Sequence, residues 1–88
     1  MRSDPFEFRL ITSAQRDLVK LPLQLQARIV SKLEQLVLNP FPPQSEKLSG
    51  RENSYRARLG DYRILFFIDL EEHVVWVTSI AHRREVYR

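Results

Sequence analysis

One stretch, Ser54 to Ile68, constrains this chain more than any other. Apolar and polar residues alternate from Tyr55 to Leu59 and from Tyr62 to Ile64, on either side of Gly60-Asp61, and an apolar run follows to Ile68, so the stretch reads as two strands joined by a two-residue loop. Glycine at the first loop position suits a type II′ hairpin turn. Leu59 then lies opposite Tyr62, Arg58 opposite Arg63 and Ala57 opposite Ile64. Side chains alternate faces along a strand. Tyr55, Ala57, Leu59, Tyr62, Ile64 and Phe66 therefore share one face, and Arg56, Arg58 and Arg63 share the other. Like charges directly opposite each other destabilise a sheet. Folding alone gives no reason for that placement, whereas a bound polyanion does.

The remaining pattern supplies what the hairpin packs against. Phe6 to Ile11 alternates as a first strand. Thr12 with Gln15 predicts a capping box opening a short helix through Lys20. Leu21-Pro22 breaks it, because a residue before proline avoids helical angles. A longer helix is predicted over Leu23 to Leu38, stopping at Asn39-Pro40, with Leu25, Ile29, Leu33 and Leu36 as its buried stripe. Phe41-Pro42-Pro43 predicts an extended connector. After an acidic turn, Asp69 to Glu72, a last strand is expected from His73 to Ile80. Its apolar run Val74 to Val77 suits an interior strand, in which Trp76 reads as packing rather than ligand stacking. The expected fold is α+β, in the order β-α-α-β-β-β with a short C-terminal tail. A helix pair should cover one face of an antiparallel twisted sheet, leaving the arginine face bare.

At 88 residues the chain has the size of one domain, 1–88. It has no cysteine, hence neither disulfides nor a thiolate metal site, which suits a reducing compartment. No apolar run has signal-peptide or membrane-spanning length, so a cytoplasmic location without membrane association is expected. The net charge of +3 is mild, but 11 of the 14 basic residues are arginine. Arginine grips phosphate through a planar two-pronged fork, while lysine acts as a point charge.

The sequence has no nucleotide-binding glycine loop, zinc-protease helix or nucleophile elbow. With only His73 and His82, a histidine metal site is not expected, nor is a cofactor. What remains is arginines, one histidine near the tail, a tyrosine and scattered glutamates. This inventory suits phosphodiester chemistry in RNA. A 2′-hydroxyl attacks the adjacent phosphorus, charge builds on the phosphoryl oxygens, and fixed cations aimed at that charge supply much of the catalysis.

Three elements carry a resemblance to a known family: Lys47 to Gly50, Tyr55 to Arg63, and the tail His82 to Tyr87. Together with the Leu-Pro break and the Asn-Pro helix stop, they resemble the RelE branch of the RelE/ParE toxin superfamily. The resemblance spans nearly the whole chain. It implies a ribosome-dependent, metal-independent endoribonuclease that cuts mRNA in the decoding site and is neutralised by a cognate antitoxin. The antitoxin is expected to be acidic, partly disordered and folded on binding. Operon DNA would be contacted only through the toxin–antitoxin complex.

By position, the resemblance implies catalytic roles for Arg58, Arg63, Arg83 and Tyr87, and His82 is added to this catalytic set as a candidate base. Arg51, Arg56, Arg84 and Arg88 are expected to bind RNA or phosphate. Some members carry lysine where this chain has Arg56 and Arg58, and arginine effectively cannot lose its proton. A base is then needed elsewhere. His82 comes first, because imidazole ordinarily titrates nearest neutrality; Glu46, Glu52, Glu85 and Tyr87 follow. Tyr87 suits either an anchor for the tail or a ring that stacks on an mRNA base. The rival expectations are a ParE-like, non-nuclease toxin that binds DNA gyrase, and a family member that has lost catalysis.

Overall fold

The computed structural model describes residues 5–86. The hairpin forms in the expected register. Strands β3 (Ser54–Leu59) and β4 (Tyr62–Asp69) pair antiparallel with Leu59 across from Tyr62 and Arg58 across from Arg63. Gly60 carries φ +57° and Asp61 stays out of the positive-φ region, which is the II′ pattern.

Strand β5 (Val74–His82) runs antiparallel to β4 and contains one irregularity. Val77 pairs with Phe66, while Ser79 pairs with Leu65, so Thr78 is an extra residue and its hydroxyl donates to the Leu65 carbonyl at 3.2 Å. This bulge lets Val75, Val77 and Ile80 all reach the same core despite their uneven spacing.

The first strand, β1 (Glu7–Leu10), lies beside β5 and runs parallel to it. Here the structure corrects the all-antiparallel expectation. The cause is a two-residue strand, β2 (Glu46–Lys47), that the sequence pattern did not reveal. It pairs with β3 at the far edge, giving a five-stranded mixed sheet in the order β1-β5-β4-β3-β2. If each element reverses direction, including β2 turns an odd number of reversals between β1 and β5 into an even one. The two strands then run the same way.

Helices α1 (Thr12–Val19) and α2 (Leu23–Leu36) cover one face. Ala14 from α1 and Ile29, Leu33 and Leu36 from α2 close on Tyr55, Ala57, Ile64, Phe66 and the β5 valines. Leu25 is only half-buried. Where β1 ends, α1 takes over: the Asp17 carboxylate accepts the Ile80 N–H at 3.0 Å. The predicted capping box does not form. Ile11 holds the N-cap position, Thr12 is already helical, and Gln15 instead donates to the Leu10 carbonyl at 2.9 Å. The proline connector also departs from expectation. The Gln44 N–H donates to the Phe41 carbonyl at 3.0 Å, closing a turn with Pro42–Pro43 in cis, the isomer that tight proline turns accommodate. After β5 the chain enters one helical turn, α3 (Arg83–Val86). The Arg83 N–H donates to the Asp61 carbonyl at 2.7 Å, tying the start of that turn to the hairpin loop.

Candidate functional site on the arginine face

Because the helices occupy the Tyr55/Ala57/Ile64/Phe66 side, the arginines of the hairpin stand on the uncovered side. Arg58 is exposed and directly opposite Arg63. Arg63 is only 6% exposed. Its Nη1 reaches the Tyr62 carbonyl at a long 3.4 Å, and its buried Nε has no hydrogen-bond partner among the described residues. A buried, under-satisfied guanidinium facing another arginine is costly for folding. It is also what a phosphate would satisfy.

One carboxylate enters this cluster. Glu46, brought in by β2, accepts a hydrogen bond from Arg56 Nη2 at 2.8 Å. That bond and the Arg56 charge hold its carboxyl below the ordinary range; desolvation opposes them, and Arg58 and Arg63 add lesser pulls. Proximity of Glu46 depends on a strand too short to carry any hydrophobic alternation, so sequence ranked it only as a secondary candidate. Beside it, α2 and β3 enclose a cleft of about 300 Å³ that adds Lys32 to Arg56 and Arg58. Lys32 was not anticipated, because only the packing of α2 against β3 brings it there.

The other anticipated residues are dispersed. His82 pairs across the sheet with Tyr62 and packs edge-on against its ring, 5.4 Å between centroids. That register puts it on the helix side of the sheet, away from Arg58 and Arg63. Its Nδ1 accepts the Arg84 N–H at 3.3 Å, which in the neutral ring leaves the proton on Nε2. Arg83 is exposed and faces Asp61 at 3.9 Å. Arg84 is exposed at α3, and Arg51 is exposed on the loop between β2 and β3. Tyr87 and Arg88 lie outside the described residues. Among the described residues, no three histidine or carboxylate side chains converge as metal ligands, and no helix is long and apolar enough to cross a membrane.

A helix pair on one face of a five-stranded mixed sheet, with arginines on the other, defines a small α+β protein of the RelE/ParE toxin type. The family described as the ParE toxin of the type II toxin–antitoxin system parDE matches residues 8–87, and the chain belongs to it. Toxin RelG of Mycobacterium tuberculosis is 35% identical over 88 residues, covering 96% of this chain and 98% of that protein. Toxin RelE of the same organism is 33% identical over 85 residues, covering 96% and 88%. Among solved structures, the toxin–antitoxin complex RelBE2 of M. tuberculosis superposes with a TM-score of 0.80 at 35% identity, covering 91% of this chain and 100% of that one. The RelE–RelB complex of Pyrococcus horikoshii OT3 gives 0.78 at 25% identity, covering 91% and 97%. The protein is a toxin of a type II toxin–antitoxin system.

Proposed function

We propose that this toxin is a cytoplasmic, metal-independent endoribonuclease that cleaves mRNA held in the ribosomal decoding site, and that residues 1–88 form its single domain. The observation that carries the reading is Arg63: a buried guanidinium, directly opposite Arg58, whose Nε lacks a partner among the described residues. In the proposed reaction the 2′-oxygen bonds to phosphorus, the bond to the 5′-oxygen breaks, and a 2′,3′-cyclic phosphate and a 5′-hydroxyl result. Arg58 and Arg63 stabilise the charge that gathers on the phosphoryl oxygens. Arg56 positions Glu46, which takes the 2′-hydroxyl proton. The base falls to Glu46 rather than His82 because Glu46 stands among the arginines and His82 lies on the helix side of the sheet. Tyr87 stacks on a base or returns a proton to the leaving oxygen. Arg51, Arg83, Arg84 and Arg88 draw the toxin to RNA in a salt-sensitive way.

A second reading keeps some weight because the matching family model is described as ParE: a non-nuclease toxin that binds DNA gyrase. A toxin that has lost catalysis is the remaining alternative. For partners, relatives are seen bound to RelB antitoxins. We assign this chain a cognate acidic antitoxin that covers the arginine face, with operon DNA contacted through the pair. Primer extension on a defined mRNA in translating ribosomes tests the central claim. Wild-type protein should cut in the decoding site, and Arg63→Ala should lower the rate by about 10² or more. No cut by folded wild-type protein would shift the assignment to gyrase binding or to a toxin that has lost catalysis.

A further inference from the structure

The arginine cluster occupies only one end of the uncovered sheet face. Two residues further along the strands the face carries Leu65, and two further still a row runs across the sheet. Arg9 on β1 is opposite Trp76 on β5, and Trp76 is opposite Phe67 on β4. The two rings lie near-parallel, 18° apart, with centroids separated by 6.4 Å. The Arg9 guanidinium sits over the indole at 5.8 Å. Phe67 is 38% exposed, which is unusual for a phenylalanine on the central strand of a sheet. The next row is acidic, with Glu7, Val74 and Asp69 in register. One face is therefore ordered from cations, through a stacked aromatic pair with its own cation, to carboxylates.

We propose that Phe67 and Trp76 form a base-stacking platform for the single-stranded RNA whose phosphates the arginines hold; this rests on the nuclease reading above. Cations beside exposed rings favour single-stranded RNA over an acidic protein segment, which matches the charge of phosphate but brings no base to stack. The aromatic pair shares its sheet face with Arg58 and with Arg63, whose buried Nε, without a partner among the described residues, suits an anionic oxygen. Four residues of strand separate Arg63 from Phe67, about 13 Å, a span that an extended single strand crosses in a few nucleotides. Stacking on exposed rings is how proteins hold unpaired bases without reading sequence. Arg9 can swing to a phosphate, because its pairing with Glu7 is exposed at 3.3 Å and such pairs hold weakly. Beyond the platform, Glu7 and Asp69 repel phosphate and end the track.

Trp76 is the chain's single tryptophan, so its fluorescence reports this site alone. The probe is a labelled 2′-O-methyl RNA oligomer of about eight nucleotides, a length within the range a single-strand groove occupies. It is titrated at low salt while anisotropy and Trp76 emission are followed together. Binding with saturable quenching is expected. Phe67→Ala should weaken binding roughly tenfold. Phe67→Tyr should keep it, and Phe67→Leu, which keeps the apolar packing but not the π-face, should behave like Ala. Binding that Arg63→Ala abolishes but that leaves Trp76 unquenched overturns the platform, as does a Leu variant that binds like wild type. Absence of any anisotropy change also overturns it. The nuclease reading fails separately, by the absence of cleavage in ribosomes.

Discussion

At the scale of single residues, the proposed function and stability pull against each other at Arg63. Its guanidinium is buried beside Arg58, with an Nε that no group among the described residues satisfies. Replacing it by methionine keeps the length and flexibility of the side chain while removing both the desolvated donor and the like-charge contact. Arg63→Met should therefore raise stability by about 1–3 kcal/mol, read as a higher midpoint in thermal or urea unfolding, while cleavage in ribosomes is lost. An unchanged or lower midpoint would mean that Arg63 is held by interactions favourable to the fold. Glu46 makes a second prediction. Its folded carboxyl titrates below the ordinary range because Arg56 donates to the charged form and the neighbouring arginines favour it. A base must be deprotonated to act, so the rate should rise with pH through that lowered value and stay level through neutrality. A histidine base would instead switch the reaction off as pH falls through the neutral range. Glu46→Gln should lower the rate by about 10²-fold or more; a rate like that of wild type would return the proton to another group.

At the scale of elements, what was legible depended on whether alternation alone fixed it. The β3–β4 hairpin was legible to the residue, because the alternation flanking the turn, Tyr55 to Leu59 and Tyr62 to Ile64, and a glycine at the turn leave one register. Val substituted at Gly60 should cost about 1–2 kcal/mol. A Cβ there meets nothing within 4 Å, so the loss would come from the positive φ alone. Gly60→Asn should cost less, since asparagine tolerates that region; equal losses in both variants, measured by chemical unfolding, would point to a clash instead. The β2 strand was not legible, for two polar residues carry no period, and with it went the direction of β1 and the rank of Glu46. His82 shows the same limit. Straight alternation from Trp76 would carry it to the arginine face, and the extra residue Thr78 reverses that. A bulge leaves no signature in a run of Val, Trp, Thr, Ser and Ile.

At the scale of the whole molecule, the helix layer and the bare sheet face divide the labour. One holds the core, and the other leaves a charged surface open to an acidic partner. An acidic antitoxin segment laid over Arg56, Arg58 and Arg63 would satisfy the same buried donor that phosphate would, so inhibitor and substrate compete for one electrostatic feature. The double variant Arg56→Glu/Arg63→Glu tests this competition. It should lose cleavage and also weaken antitoxin binding by at least about tenfold, with the salt dependence of that binding flattened because fewer charges are neutralised on association. Titration calorimetry with the purified antitoxin at two ionic strengths separates the possibilities. Wild-type affinity in the double variant would confine the antitoxin to the helix layer. The toxin would then be silenced without its cations being covered, by blocking access to the ribosome or by displacing the tail.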